Sequence, residues 1–275
     1  MPLRINIVEC CHDIAHADAT PALTVRGLKI PGRVEGFDLT VQRGKIVCVA
    51  GQVGSGAVDV MSAIAGLVFD ASGEININGK RLRLGSTERA LAEHIMYISG
   101  DRAEEGVFRY RSVLDNLIAT RIGRYTTVGW LRRGALRAAA HDLARRVGVD
   151  TRRLDAPADA LSGGNQQKLA FGRCIDRGAP GVLVMDEPTR GIDVGARNEI
   201  YRLMREFCAA GHALVMTSSD LEEVVGIADE VVTMYRGKRV GRYTRGRFSL
   251  ERIVADITHP ESDVRPPSGA ISVAA

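Results

Sequence analysis

Apolar positions along the chain fall into two patterns. Ala22–Val25, Gly36–Val41 and Glu74–Ile77 alternate apolar with polar residues between Gly and Asn turns. That two-residue period marks half-buried strands and predicts a small antiparallel sheet. The second pattern is unbroken. Lys45–Ala50 reads KIVCVA, rich in β-branched residues, and comparable runs recur at Ile95–Ser99, Val182–Met185, Ala213–Thr217 and Glu230–Met234. Strands that are apolar throughout are covered on both faces. With helical segments between several of them, these runs predict an α/β core built on a mostly parallel sheet.

Val58–Leu67 follows the first unbroken run and suits a buried helix. From Asp101 to Ala160 no comparable strand run occurs, while Ala135–Val147, ALRAAAHDLARRV, joins strong helix formers to an arginine-bearing face. This span, about 101–160, is expected to be a helical insertion in the core. Its arginines, Arg121, Arg124, Arg132, Arg133, Arg137, Arg145 and Arg146, serve either a solvated surface or an acidic partner. Residues 1–21 show no sustained period and are expected to be a tail or linker, 22–247 the folded domain, and 248–275, ending THPESDVRPPSGAISVAA, a second tail.

Composition narrows the classes. A chain of 275 residues can bury one large α/β core. A net charge of +4, dispersed along that length, argues against nucleic acid as a partner. No stretch approaches the roughly 18–20 continuous apolar residues of a membrane span, and MPLRINIVECCHD lacks the apolar centre of a secretory signal. The chain reads as soluble, with docking on a membrane protein left open. Cys10, Cys11, Cys48, Cys174 and Cys208 form no CxxC pair and read as free thiols of a reducing compartment.

Three segments carry chemistry. Gly51–Val58, GQVGSGAV, follows a strand and keeps the spacing of G-x-x-x-x-G-K-[ST], in which backbone N–H groups cradle phosphate, the lysine neutralises charge and the hydroxyl holds Mg²⁺. Ala57 stands at the lysine position and Val58 at the hydroxyl position, so Gly51, Gly54, Ser55 and Gly56 could cradle phosphate without either charged function. Taken alone, GQVGSG reads as a phosphate loop or as a tight turn. Next, Gly181–Pro188, GVLVMDEP, ends an apolar strand in Asp186 and Glu187, at the carboxyl edge where parallel sheets bind ligands. Asp186 is placed to hold Mg²⁺ through water and Glu187 to orient or deprotonate an attacking water; a solvated strand end is the alternative. Third, LSGGNQQK puts Ser162, Gly163 and Gly164 ahead of a helical run, where N–H groups and a hydroxyl meet the positive end of the helix dipole. A γ-phosphate ligand and a plain helix cap are the two readings.

With LSGGNQQK followed by LVMDEPTRGIDVGAR, the chain resembles the nucleotide-binding domain of ATP-binding cassette transporters. More narrowly, it resembles the C-terminal cassette of the tandem ATPases that drive ribose, galactose and xylose importers. The resemblance runs from about Ala22 to Tyr243 and includes ISGDRAEEGVF and SSDLEEVVGIADEVVTMYRGK. It implies a P-loop NTPase (RecA-like) core with an antiparallel β subdomain and an α-helical insertion. It implies ATP and Mg²⁺ as ligands, and two cassettes packed head to tail so that each ATP lies between one phosphate loop and the other's LSGG. In that scheme Gly51, Gly54, Ser55 and Gly56 are the loop remnant, Ser162, Gly163, Gly164, Asn165 and Gln166 the signature, Asp186 and Glu187 the metal and base carboxylates. Asp193 matches the loop linking the two sites. Implied partners are a second cassette, an integral membrane permease and, indirectly, a sugar-binding protein outside the cell. The implied location is peripheral, on the cytoplasmic face of the membrane.

Departures from the family pattern accompany these matches. Besides Ala57 and Val58, Ser219 replaces the switch histidine, Gly100 stands where a glutamine or glutamate senses metal and water, and no aromatic near Leu28–Pro31 stacks on adenine. The expectation is an ATPase whose own loop is slow or dead and whose signature completes a partner's site. The rivals are a non-catalytic regulatory cassette and a non-transport ABC ATPase.

Overall fold

A computed structural model of the chain describes residues 20–175 and 181–260. It begins with β1 (Leu23–Ile30), β2 (Val34–Val41), β3 (Ile46–Gly51), α1 (Ala57–Ile64), β4 (Ser72–Ile77), β5 (Lys80–Leu82), α2 (Thr87–Ala92) and β6 (Ile95–Ile98). The middle holds α3 (Val113–Ile118), a hairpin of β7 (Thr126–Thr127) and β8 (Trp130–Leu131), α4 (Arg133–Arg146) and α5 (Gly163–Cys174). The last third holds β9 (Val182–Asp186), α6 (Val194–Ala209), β10 (Ala213–Thr217), α7 (Leu221–Ile227), β11 (Glu230–Tyr235), β12 (Lys238–Thr244) and α8 (Leu250–Thr258).

The apolar runs meet in one sheet, ordered β12-β11-β3-β10-β9-β6. Every pairing in it is parallel except β11 with β12. Each run feeds two cores by alternation. Ile46, Cys48, Leu183, Met185, Leu214 and Met216 enter one hydrophobic cluster, shared with the middle helices and with α6, α7 and α8. Val47, Val49, Val182, Val184, Ala213 and Val215 enter the other, shared with α1 and the antiparallel sheet β2-β1-β4-β5. Burial on both faces is what a strand without polar alternation requires.

Two expectations change. The span 101–160 holds helices α3 and α4 as expected, but it also carries the β7–β8 hairpin, whose two-residue strands are too short to show a period. The chain does not become a tail at 248. Ser249 caps α8 by accepting the Arg252 N–H at 3.3 Å, and Ile253 and Ile257, one turn apart, pack into the first cluster. Asp256 Oδ2 completes the dock by accepting Thr233 Oγ1 and Tyr243 OH, each at 2.7 Å. The proposed tail residues 1–19 and 261–275 lie outside the described residues, as do Cys10 and Cys11. Cys48, Cys174 and Cys208 are buried and form no disulfide among the described residues. No helix among the described residues is long and apolar enough to cross a membrane.

Candidate functional site

The glycine loop sits at the carboxyl end of β3, between its neighbours β11 and β10. Its glycines are required by geometry. A Cβ on Gly51 would lie 2.2 Å from Ser55 Oγ, and one on Gly56, at φ +92°, would lie 2.8 Å from Arg33 O. Ser55 is buried, donating N–H to Gln52 O at 2.9 Å and accepting the Gly237 N–H at 2.8 Å. Gly56 then starts α1 without a side-chain cap, leaving the first N–H groups of the helix without intrahelical acceptors.

What the loop lacks is charge. Ala57 is buried in the second core, while Val58 and Val53 are exposed and apolar. Asp59 follows in the first turn of α1, where a carboxylate itself satisfies the helix dipole, and Arg33 Nη1 meets it at 2.8 Å. Ala57 and Val58 thus bring neither a cation nor a hydroxyl to the loop, and the carboxylate that follows them is paired with Arg33.

Across β10 stand the two carboxylates. Thr217 is the register partner of Asp186, and its Oγ1 donates to Asp186 Oδ1 at 2.6 Å. A Cβ on Gly100 would lie 3.0 Å from Asp186 Oδ2, so a larger residue there presses directly on that carboxylate. Glu187 takes φ +44°, an uncommon conformation for a residue with a side chain, and its N–H donates to Thr217 O at 3.1 Å. Ser219 Oγ donates to Glu187 Oε2 at 3.0 Å. Burial raises the Glu187 carboxyl above the usual carboxylate range, with the Ser219 hydrogen bond opposing it. Val58 offers no oxygen, so at that position the loop has no hydroxyl to share an ion with Asp186.

Glu223, which the sequence reading passed over, ties these loops together. It is 2% exposed, accepts Thr189 Oγ1 at 2.8 Å and also accepts Ser218 Oγ, joining the segment after β9 to the end of β10. Burial raises its carboxyl too.

The signature stands apart. Among the described residues, no hydrogen bond or ion pair joins Ser162–Gln166 to Gly51–Val58. Ser162 is the N-cap residue of α5 and is exposed; its carbonyl accepts the Gln166 N–H at 2.9 Å, while its hydroxyl accepts no N–H of that helix. Instead Asn165 Nδ2 donates to Ser162 Oγ at 3.1 Å. Gln166 Nε2 braces the approach by donating to Ala158 O and Leu161 O, each at 3.2 Å. Gly163 is partly exposed, whereas Gly164 is buried, and a Cβ on it would lie 2.4 Å from Ala196 Cβ on α6. Lys168, also missed, is buried and donates to Gly148 O at 2.8 Å and Glu199 Oε2 at 2.7 Å, tying the end of α4 to α6. Asp193 caps α6 by accepting the Ala196 N–H at 3.0 Å. The structure thus gathers Asp186, Glu187, Ser219 and Gly100 on one edge, and sets an outward-facing helix start elsewhere.

Comparison with known proteins gives this arrangement a family. The model of the ABC transporter family matches residues 34–190. The chain belongs to the ABC transporter family. A putative ribose/galactose/methyl galactoside import ATP-binding protein of Pseudomonas fluorescens is 38% identical over 84% of this chain and 45% of its own length. The ribose import ATP-binding protein RbsA 2 of Rubrobacter xylanophilus is 37% identical over 94% of this chain and 49% of its own. The chain spans about half the length of the curated relatives it matches. Among solved structures, the ADP conformation of MJ1267, an ATP-binding cassette of an ABC transporter, superposes with a TM-score of 0.70 at 20% identity, covering 87% of this chain and 96% of that one. The dimeric post-hydrolysis state of the cassette MJ0796, bound to ADP and Pi, gives 0.68 at 18% identity, covering 82% and 100%. Both share the fold of this ABC family chain.

Proposed function

We propose that this ABC cassette lends Ser162–Gln166 to an ATP held on the phosphate loop of a second cassette, and that the shared site powers carbohydrate import through a membrane permease. The observation that carries the reading is a pairing of opposites. The α5 start carries N–H groups and an exposed serine that caps none of them with its hydroxyl, while the chain's own loop carries Ala57 and Val58 in place of a lysine and a hydroxyl. The dimeric, ADP- and Pi-bound state of MJ0796 supports a paired arrangement, and the import names of the relatives support sugar as cargo. In this reading Mg²⁺, lysine and the hydrolytic carboxylates belong to the partner's loop. Asp193 lies near the seam, and Asp186 and Glu187 shape an edge that performs no metal-dependent step. The protein would sit peripherally on the cytoplasmic face, with the permease docked on the helical insertion and an external binding protein selecting the sugar.

ATP turnover by this chain mixed with a cassette bearing a G-K-S loop tests the assignment. Replacing Ser162 or Gly163 should abolish the stimulated rate, by analogy with the hundredfold or larger losses, on the order of 3–4 kcal/mol, seen when single transition-state donors are removed. E187Q should leave most of it. The reverse pattern sinks the proposal, and a mixture showing no stimulation that depends on Ser162 makes the chain a regulatory cassette.

A further inference from the structure

The helical insertion carries an exposed apolar tip that the ATP site does not use. β7 and β8 pair through Thr126 with Leu131 and Thr127 with Trp130, closing on Val128 at φ +47° and Gly129 at φ +80°. Turns with two positive φ angles favour Asn-Gly or Asp-Gly, and a β-branched residue is among the least suited to the first position. Neither the turn nor the core asks for valine there, since Val128 is 94% exposed. Trp130 beside it is 82% exposed, and Ile122 just ahead of the hairpin is exposed as well.

The sequence flanking this tip carries charge of one sign. Between Asp115 and Asp142 the sequence holds five arginines and no Asp or Glu. Arg121 is buried against backbone carbonyls, and Arg137 is neutralised by Asp155 through two bonds of 2.7 Å. Arg132 and Arg133 are exposed at the hairpin base, where Arg132 Nη2 donates to Arg124 O at 3.0 Å and draws the two strands together. Tryptophan favours the headgroup boundary of a bilayer, and arginines beside it attract lipid phosphates. An acidic protein segment would engage the arginines and leave the strained valine tip without a role.

We propose that the Thr126–Leu131 hairpin seats Val128 and Trp130 in the headgroup region of an anionic phospholipid bilayer, with Arg132 and Arg133 on lipid phosphates. The inference goes beyond the ATP reading and stands without it. Trp130 is the chain's one tryptophan, so its emission reports the tip alone. Titrating the full chain with phosphatidylglycerol-containing vesicles should shift that emission to the blue and co-sediment the protein, with high salt reversing both and pure phosphatidylcholine producing neither. R132Q/R133Q should weaken partitioning by about thirtyfold, from roughly fivefold per arginine, with an unchanged circular dichroism spectrum. V128N, better suited to the turn, should keep the fold and reduce the shift. Absence of both shift and co-sedimentation with anionic vesicles overturns the proposal. So does partitioning indifferent to R132Q/R133Q, or an equal blue shift with polyglutamate, which would assign the tip to an acidic protein.

Discussion

Ala57, Val58 and Asp59 set what the phosphate loop can do. The loss of lysine and hydroxyl was legible in GQVGSGAV, because both functions belong to fixed positions in the motif. The contribution of Asp59 was not, since its effect depends on standing in the first turn of α1 beside Arg33. Thr217 and Glu223 escaped for the same reason: the register of β10 on β9 and the placement of α7 create their roles, and neither belongs to a local pattern. Residue chemistry predicts a gain of function at the loop. A hydrogen bond to a charged group contributes about 1.5–3 kcal/mol. A57K/V58S should therefore tighten ATP binding by the isolated chain by about tenfold to a hundredfold, read by titration calorimetry. Unchanged affinity would mean that the loop backbone itself no longer accepts phosphate.

At the scale of elements, the informative junction is α5 against α6. Gly164 has a packing role as well: its hydrogen faces Ala196 and lets the two helices close. The helix carrying Ser162 and the helix capped by Asp193 are thereby held as one unit, with Lys168 and Glu199 tying them to the end of α4. A methyl group at 164 overpacks this contact, at a typical cost of about 1–3 kcal/mol. G164A should lower the urea unfolding midpoint accordingly, and G164A/A196G should recover most of the loss. A G164A midpoint equal to wild type would show that the helices are not closely packed. Elements with a sustained pattern were readable from sequence: the unbroken apolar runs of β3 and β9 and the one-sided helix α4. The β7–β8 hairpin and α8 were not, because each rests on only a few apolar residues whose burial or exposure is decided by the rest of the fold.

On the scale of the whole molecule, the parallel sheet separates two cores and brings a glycine loop without lysine and two carboxylates to one edge. The α/β architecture was visible in the spacing of unbroken apolar runs. The separation of the signature from the loop was implied by the family resemblance and not by the motifs themselves, which name groups without saying whether one chain can bring them together. That separation underlies the central claim, that this ABC cassette turns over ATP only as half of a shared site. The most direct measurement is steady-state ATP hydrolysis by the purified chain alone and with increasing amounts of a cassette carrying a lysine-bearing loop. The account predicts background turnover alone and a rate that saturates near equimolar mixing. Turnover by the isolated chain on the order of 1 per second, ordinary for an enzyme, would contradict it.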